Sequence, residues 1–447
     1  MGMELSTTEH EVHDVDALNW ARRVLDDCSS PRQMQEEVLN AVSRNETWRG
    51  QQCLNLLAPE APTSPIVRRL LSSEVGIRAA EGHIGRQQRW FVGTKYIDEI
   101  ESLCVELLKR VFRTNYADHR LVASMIGNMT VYTALTQPGD NIMTISQPFG
   151  GHSSNRHDGP AGVRGLRIYD VPMDPVELEV DMVQFAELAR KIKPKLTTLG
   201  ASMTLFPFPI KEMADVVSEW GGRIYFDGAH QLGLIGGGQF QDPLREGACV
   251  MTGSAGKTFS GPQSGIIVWN DPDLNKPLTD AIFPTLAATH QVNRVAALAA
   301  AAAEFLAFGK DYMAQIVANA QTLGHALHRR GMTVLCAHKG FTRTHQVIVD
   351  VRSLGGGYTV ANRLAEANII TNKNLIPGDE PENWDFPGGL RLGSTEVTRL
   401  GMKETEMEFI ADLIASVLIN KESTETVRSR VTDLRASFQT LQYCFVE

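Results

Sequence analysis

Residues 224–230 read IYFDGAH, and residues 250–258 read VMTGSAGKT. Each segment begins as a largely apolar run typical of a buried strand and ends at small residues beside one ionisable side chain, Asp227 in the first and Lys257 in the second. The spacing between the two runs is that of a βαβ unit, which predicts adjacent parallel strands. Because such sheets bind ligands beyond the carboxyl ends of their strands, we expect both side chains at one binding site.

Lys257 lies between the small-residue segments 253–256 (GSAG) and 260–262 (SGP). Small residues let a planar ring approach the main chain, whereas an isolated lysine is usually a solvated surface charge. Asp227 follows an apolar strand, where an unpaired carboxylate is costly, although a helix N-cap is the alternative interpretation. A lysine amine that can form an imine and a carboxylate that can face a protonated ring nitrogen together predict pyridoxal 5'-phosphate as the cofactor.

The same alternation of strands and helices extends through much of the chain. Strand-like runs are predicted at residues 141–145, 196–199, 223–226, 248–252 and 265–269. They are separated by helix-length segments, which indicates a mainly parallel α/β sheet.

The organisation along the chain predicts three parts. Residues 1–52 are expected to form an N-terminal helical arm, because their apolar residues recur at helical spacing. Residues 53–305 are expected to form a large pyridoxal-phosphate-binding domain that ends in an alanine-rich buried helix at 295–308. Residues 306–447 are expected to form a smaller α+β domain that begins with a helix at 312–330.

Composition excludes several classes of function. A formal net charge of -9 repels a phosphate backbone, so we expect no nucleic-acid partner. The six cysteines show no C-x-x-C spacing, and we expect neither a metal site nor a disulfide framework. The N-terminus is acidic and we expect no apolar run long enough to cross a bilayer, so a cytoplasmic protein with no membrane partner is predicted.

Several segments, in order along the chain, resemble serine hydroxymethyltransferases. Residues 226–234 (FDGAHQLGL) and 256–262 (GKTFSGP) resemble the D-x-A-H-x-x-G-L and H-K-T-L-x-G-P segments of that family. Shorter matches are AEG at 80–82, GGH at 150–152, NKN at 372–374 and LRLGS at 390–394. The resemblance implies a type I aminotransferase-like α/β fold, with a large mainly parallel sheet of the seven-stranded type and a smaller C-terminal α+β domain.

The resemblance also implies roles at the cofactor. Lys257 would hold it as an imine, Asp227 would contact its ring nitrogen and His152 would stack on its ring. The other implied cofactor contacts are His230 near the phenolic oxygen, Ser124 and Met125 at a phosphate-binding helix start, Ser202 nearby, and Ser254 in the lysine loop. A structural role is the common alternative for a single histidine or serine.

On the substrate side, Arg391 matches the arginine that binds an α-carboxylate, and its planar guanidinium suits that contact. The expected substrate is therefore an α-amino acid. Glu81 matches the carboxylate that transfers a proton at the β-hydroxyl, and Asn374 matches a folate-contacting asparagine. The alternatives are a surface ion pair for the arginine and a solvated loop position for the glutamate.

Departures from the family pattern fall mostly on the acceptor side. They are Pro59, Ala79, Gly256, Gln263 and the segment 285–289 (TLAAT), which replaces a glycine-rich loop. Because several of these residues are smaller or less polar than the family's, we predict a substrate bulkier than serine and at least one cleavage that needs no folate.

The function so predicted is formation or cleavage of the Cα–Cβ bond of a β-hydroxy α-amino acid, with hydroxymethyl or aldehyde transfer. Tetrahydrofolate is left open as a second cofactor. The alternatives are a folate-independent threonine aldolase or transaldolase, an aminotransferase or decarboxylase on the same fold, and a catalytically inactive binding homologue. The expected partners are a small amino acid and an aldehyde, and a second copy of the chain in a homodimer or homotetramer.

Overall fold

The computed structural model describes residues 13–85, 87–200 and 202–446, which form two compact units that divide after Cys53. In the first unit, helix α1 spans Val15–Asp27 and α2 spans Pro31–Thr47. Asp14 and Ser30 cap these helices by accepting backbone N–H groups in the first turn. Two helices therefore lie where the arm is predicted.

The second unit contains the strands and the remaining helices. The strands are β1 Leu54–Asn55, β2 Tyr116–Asp118, β3 Asn141–Thr144, β4 Arg167–Asp170, β5 Leu196–Gly200, β6 Arg223–Asp227, β7 Ala248–Ser254, β8 Gly265–Trp269, β9 Thr333–Val334, β10 Gln346–Asp350, β11 Ile369–Ile370, β12 Asn372–Asn374 and β13 Gly389–Gly393. The helices are α3 Pro65–Leu71, α4 Lys95–Phe112, α5 Ser124–Leu135, α6 Pro160–Val163, α7 Met182–Ile192, α8 Ile210–Ser218, α9 Leu232–Gly236, α10 Pro243–Glu246, α11 Asn275–Asp280, α12 Val292–Arg329, α13 Gly356–Glu366, α14 Thr395–Arg399, α15 Glu404–Leu418 and α16 Thr424–Ala436.

The large sheet has seven strands in the order β2-β8-β7-β6-β5-β3-β4. Strands β3 to β7 pair in parallel and β8 pairs antiparallel with both neighbours, so the prediction of a mainly parallel sheet is confirmed. The central strands β5 and β8 are buried along their whole length, as expected where helices cover both faces. The two edge strands, β2 and β4, were not predicted; both are short and β4 is partly exposed.

The strand ends bring the two deciding segments together. Strand β6 continues as far as Asp227, which pairs with Gly200 on one side and Thr252 on the other. Strand β7 runs to Ser254, only a short turn before Lys257. Both ionisable residues therefore lie at the carboxyl edge of the sheet, as predicted.

A single helix, α12, occupies the place of two predicted helices. It runs unbroken for 38 residues and contains the predicted domain boundary at 305/306. Gly309 does not interrupt it, and a Cβ there would lie 2.5 Å from the ring of Phe305, so packing explains the glycine. The division into residues 53–305 and 306–447 stays a prediction.

Contrary to the sequence-based expectation, α12 is apolar and long enough to cross a membrane by length and composition. Over its most apolar window, however, 56% of the helix is buried inside the protein. The core helix of a soluble protein passes the same test, so this helix is weak evidence for a membrane span.

The second, four-stranded sheet has the order β12-β13-β10-β9 and is antiparallel. Its central strand β13 carries Arg391, which is paired with Ile348 and Asn372 in the neighbouring strands. A continuous apolar cluster packs this sheet against α12, α13 and α15. The rigid β13 therefore sets the position of the Arg391 side chain.

Candidate active site

A pocket at the carboxyl edge of the large sheet encloses about 290 Å³ of empty space. It is lined by Ser124, Met125, Asn128, His152, Ser154, Ser202, Asp227, Ala229 and Lys257. Most of the predicted cofactor contacts therefore meet at one place.

Lys257 has an amine suited to reaction with an aldehyde. Burial lowers the pKa of Lys257, the charge of Asp227 raises it and the charge of Arg391 lowers it. The net result is a pKa of about 8. About a tenth of this amine is therefore free of its proton at pH 7, far more than for a solvated lysine.

Asp227 is buried, with 2% of its surface exposed, and its carboxylate accepts only uncharged N–H groups. Oδ2 accepts from the amides of Asn128 at 2.8 Å and Asn155 at 3.0 Å, and Oδ1 accepts from the backbone N–H of Ala229 at 3.1 Å. Within the described ranges no lysine or arginine forms an ion pair with it. A cationic group entering the pocket would therefore meet a carboxylate that no lysine or arginine of the described residues binds directly.

Two tyrosines fix the amides that hold Asp227. Tyr225 donates to Oδ1 of Asn128 at 2.6 Å, and Tyr132 donates to Oδ1 of Asn155 at 2.8 Å. Each amide oxygen is thereby occupied, so each NH2 group is turned towards the aspartate. Sequence reasoning missed both asparagines. Asn128 lies one helical turn after Ser124 on α5, a spacing that places these two residues on one face of the helix.

His152 lines the pocket as a neutral imidazole. Its Nδ1 accepts from the backbone N–H of Ser154 at 3.1 Å, which leaves the ring proton on Nε2. Burial lowers the pKa of His152, with a smaller opposing effect from Asp227. An uncharged flat ring in this position suits stacking on an aromatic ligand.

Ser124 and Met125 form the first turn of α5, whose N-terminal N–H groups have no intrahelical partners. The hydroxyl of Ser124 is buried and has no hydrogen-bond partner among the described residues. A helix N-terminus with an unused hydroxyl suits a phosphate. Ser254 does not line the pocket; its carbonyl accepts the backbone N–H of Lys257 at 3.4 Å.

Arg391 is 6% exposed and reaches the pocket wall through Ser202. One guanidinium nitrogen donates to the carbonyl and hydroxyl of Ser202 at 2.7 and 2.9 Å, and Nε donates to Asn372 at 3.1 Å. Burial lowers the pKa of Arg391 to about 10, so it stays charged at neutral pH. Within the hydrogen bonds seen, its partners are uncharged, which leaves the cation available to a substrate carboxylate.

His230 lies behind the pocket rather than in its lining. Its ring stacks on His345 with centroids 5.5 Å apart, and Nδ1 lies 3.1 Å from the amide nitrogen of Gln346. Burial first, and then the charge of Lys257, hold the pKa of His230 well below its usual range. The residue is therefore neutral.

Glu81 and Asn374 are not brought into this pocket. Glu81 is partly exposed on a loop, where it accepts the hydroxyl of Thr289. Asn374 ends strand β12 and donates to the carbonyl of Leu375 at 2.6 Å. Within one chain, two of the three implied substrate contacts therefore lie outside the cofactor pocket, and Arg391 alone of the three reaches its wall.

The pocket fits pyridoxal phosphate on the chemistry of its donors. It offers a free amine at Lys257, an unneutralised carboxylate at Asp227 and an unpartnered hydroxyl at the helix N-terminus of Ser124. These are the groups that the aldehyde, ring nitrogen and phosphate of the cofactor require.

Comparison with known proteins agrees with this site. The profile of the serine hydroxymethyltransferase family matches residues 32–414. A serine hydroxymethyltransferase of Methanocella arvoryzae is 45% identical over 392 residues, which cover 88% of this chain and 92% of the relative. One of Methanopyrus kandleri is 43% identical over 408 residues, covering 91% and 94%.

A solved structure extends the comparison to the fold. L-threonine transaldolase from Pseudomonas fluorescens superposes with a TM-score of 0.84 at 27% identity, covering 93% of this chain and 94% of that chain. The neighbouring proteins are pyridoxal-phosphate enzymes that act on small molecules, which matches the pocket chemistry. This chain therefore belongs to the serine hydroxymethyltransferase family of pyridoxal-phosphate enzymes.

Proposed function

We propose that this chain makes and breaks the Cα–Cβ bond of a β-hydroxy α-amino acid and transfers the hydroxymethyl or aldehyde carbon. The observation that carries the proposal is the grouping of Lys257 and Asp227 in one pocket, with Arg391 bound to Ser202 at its wall. An amine, a carboxylate without a counter-ion and a buried guanidinium are the groups that this chemistry needs.

Bound pyridoxal phosphate supplies an aldehyde for the amine and a protonated ring that can accept the electron pair of the broken bond. Lys257 offers the amine that binds it. Asp227 holds a negative charge at the buried end of the pocket, where low polarity strengthens its effect on a ring N–H. His152 and the first turn of α5 fix the ring and the phosphate.

Two further residues act on the amino acid. Arg391 binds and orients the α-carboxylate, since its guanidinium is held from one side by Ser202 and Asn372. Glu81 takes the proton of the β-hydroxyl when the Cα–Cβ bond breaks, and its loop must approach the pocket from elsewhere because it does not line the pocket of its own chain.

A separate part of the proposal concerns the molecule that accepts the transferred carbon. Retro-aldol cleavage needs only the residues above, so we propose that folate is dispensable for at least one substrate. The steric argument for a bulky substrate is weaker at Gly256, because a Cβ there would lie 2.6 Å from the side chain of Gln263, which fills that space. Asn374 is kept as the candidate folate contact.

We further propose that the working form is a homodimer or homotetramer. A loop and helix start beside Glu81 expose large apolar side chains, with Trp90 and Tyr96 each 67% exposed and Val92 100% exposed. Such a surface favours a protein interface, and a partner copy could bring Glu81 to a pocket. A cytoplasmic location is proposed because α12 is mostly buried within the protein.

The function is tested by incubating the purified holoenzyme with serine, threonine and α-methylserine, with and without tetrahydrofolate, and identifying the aldehyde released. We expect release from at least one substrate without folate, and none from a Lys257→Arg variant. Formation of pyridoxamine phosphate with a 2-oxo acid would instead indicate an aminotransferase. A mass map after borohydride reduction that finds the cofactor on another lysine would contradict the proposal. Light scattering measures the oligomeric state separately.

A further inference from the structure

A buried polar cluster lies outside the pocket and next to Glu81. We call it the Glu101 hub, and its members are Arg89, Glu101, His119 and His290. Glu101 on α4 is fully buried; its Oε2 accepts from Arg89 and its Oε1 meets Nε2 of His290. The chemistry proposed for the pocket uses none of these groups, so their costly burial needs another explanation.

The hub is connected to Glu81 in two ways: through the residue before Glu81 and through the residue that donates a hydrogen bond to its side chain. Arg89, bound to Glu101, donates to the carbonyl of Ala80 at 2.6 Å. Thr289, which directly precedes His290 of the hub, donates a hydrogen bond from its hydroxyl to Oε1 of Glu81. The buried carboxylate of Glu101 therefore fixes the position of the backbone before Glu81 and the position of Thr289, the donor to the Glu81 side chain.

A second buried ion pair holds the backbone after Glu81. Arg120 bonds Asp118 at 2.6 Å and donates to the carbonyl of Gly82 at 3.3 Å. Gly82 has a φ of +107°, and a Cβ there would lie 2.2 Å from the carbonyl oxygen of Gln88. The loop is thus clamped in one conformation on both sides of Glu81.

We propose that Glu101 is a positioning residue that holds the Glu81 carboxylate in place for proton transfer at the β-hydroxyl of the substrate. The inference rests on the role proposed above for Glu81. Glu101 does not touch the substrate; it acts through Arg89 and through the segment that carries Thr289.

Charge balance favours this role over a metal site built from the same groups. Apart from Glu81, which is partly exposed, the ionised groups of the region are the carboxylates of Asp98, Glu101 and Asp118 and the guanidinium groups of Arg89, Arg120 and Arg294. The three negative and three positive charges of these six groups cancel, so a divalent cation bound to Glu101 would carry more positive charge than Glu81 alone offsets. His119, with Nε2 3.7 Å from Glu101, completes the hub.

The test is a double-mutant cycle on the holoenzyme, with threonine cleavage as the reaction. We expect Glu81→Gln to lower kcat by about 100-fold, the lower range for general acid-base catalysis. Glu101→Gln should lower kcat by about tenfold at unchanged KM and unchanged visible absorption spectrum. The variant with both substitutions should be no slower than Glu81→Gln, because Glu101 acts only through Glu81.

Two further variants separate positioning from general damage. Thr289→Val removes an exposed hydroxyl without threatening the fold, and should lower kcat by about threefold to tenfold. Glu304→Gln is the matched control, since Glu304 is also buried, lies on α12 and pairs with Arg399 at 3.9 Å. We expect it to leave kcat unchanged. Exchange of the α-hydrogen of glycine with solvent involves no β-hydroxyl, and should be unaffected in every variant.

Each contrary result has one meaning. If Glu81→Gln cleaves threonine at the normal rate, the role proposed for Glu81 fails. If that variant is slow but the losses of Glu81→Gln and Glu101→Gln multiply, the inference on Glu101 alone is overturned. Stoichiometric zinc in the purified enzyme, with loss of cleavage on chelation, would also overturn it in favour of a metal at the hub.

Discussion

Asp227 and Glu101 are both buried carboxylates, and their surroundings differ in one decisive respect. Asp227 accepts hydrogen bonds only from uncharged N–H groups, such as the amide of Asn128. Glu101 meets Arg89 and His290. Burial alone would raise the pKa of Glu101, but the imidazoles of His119 and His290 hold that pKa well below its usual range. A buried carboxylate that no protein cation contacts directly is available to a cationic ligand, whereas one already in an ion pair serves the fold.

The largest effect should come from removing the available charge. We expect Asp227→Asn to retain bound cofactor and to lower kcat for amino-acid cleavage on the order of 10³-fold, because a neutral amide stabilises a protonated ring poorly. Cofactor content is measured by absorbance and kcat by aldehyde release. Near-normal turnover would show that Asp227 does not act on the ring.

The two carboxylates should then differ in their effect on stability. Glu101→Gln removes the fully buried one of the two carboxylates that pair with Arg89, the other being Asp98, and should reduce the free energy of unfolding by about 3 kcal/mol. Asp227→Asn disturbs only the hydrogen bond from Ala229 and should cost about 1 kcal/mol. Urea denaturation of the apo-proteins measures both values. Equal losses would remove the distinction drawn between the two sites.

Sequence patterns predicted where Lys257 and Asp227 lie in the fold because the signals for both residues are local. Lys257 and Asp227 each end a strand within a short motif, and the structure places both at the carboxyl edge of the large sheet. Arg391, which was singled out by the family resemblance, lies in β13. The sheet class was predicted from the alternation of short strand-like runs with helix-length segments along the chain.

The other parts depend on contacts that no local pattern encodes. The Glu101 hub joins distant parts of the sequence, since Glu101 and His290 are 189 positions apart. The helices predicted at 295–308 and 312–330 are one helix, because the burial of much of α12 outweighs the weak helix propensity of Gly309, where the ring of Phe305 from the preceding turn packs. Asn128 was missed because an uncharged amide in an apolar helix has no chemical signature of its own.

Lys257 provides a pH test of the same comparison. With a pKa of about 8, its amine becomes more reactive as pH rises, so cofactor attachment to the apo-enzyme should accelerate about tenfold per unit below pH 8 and level off above it. Asp227 raises this pKa, so Asp227→Asn should move the midpoint to lower pH. Stopped-flow absorbance records the rates. A midpoint near pH 10 would indicate a solvated lysine.

The smallest effect concerns the phosphate end of the pocket. The Ser124 hydroxyl is buried, has no partner among the described residues and lies in the first turn of α5, so it is free to donate to a phosphate. Ser124→Ala should weaken binding of pyridoxal phosphate by about fivefold, equivalent to about 1 kcal/mol. Binding of pyridoxal, which lacks the phosphate, should not change.

Ser264→Ala is the matched control, because that serine is also buried without a side-chain partner but does not line the pocket. Equilibrium titration of the apo-enzyme gives the dissociation constants. Equal weakening for both ligands would show that Ser124 shapes the pocket rather than binding the phosphate.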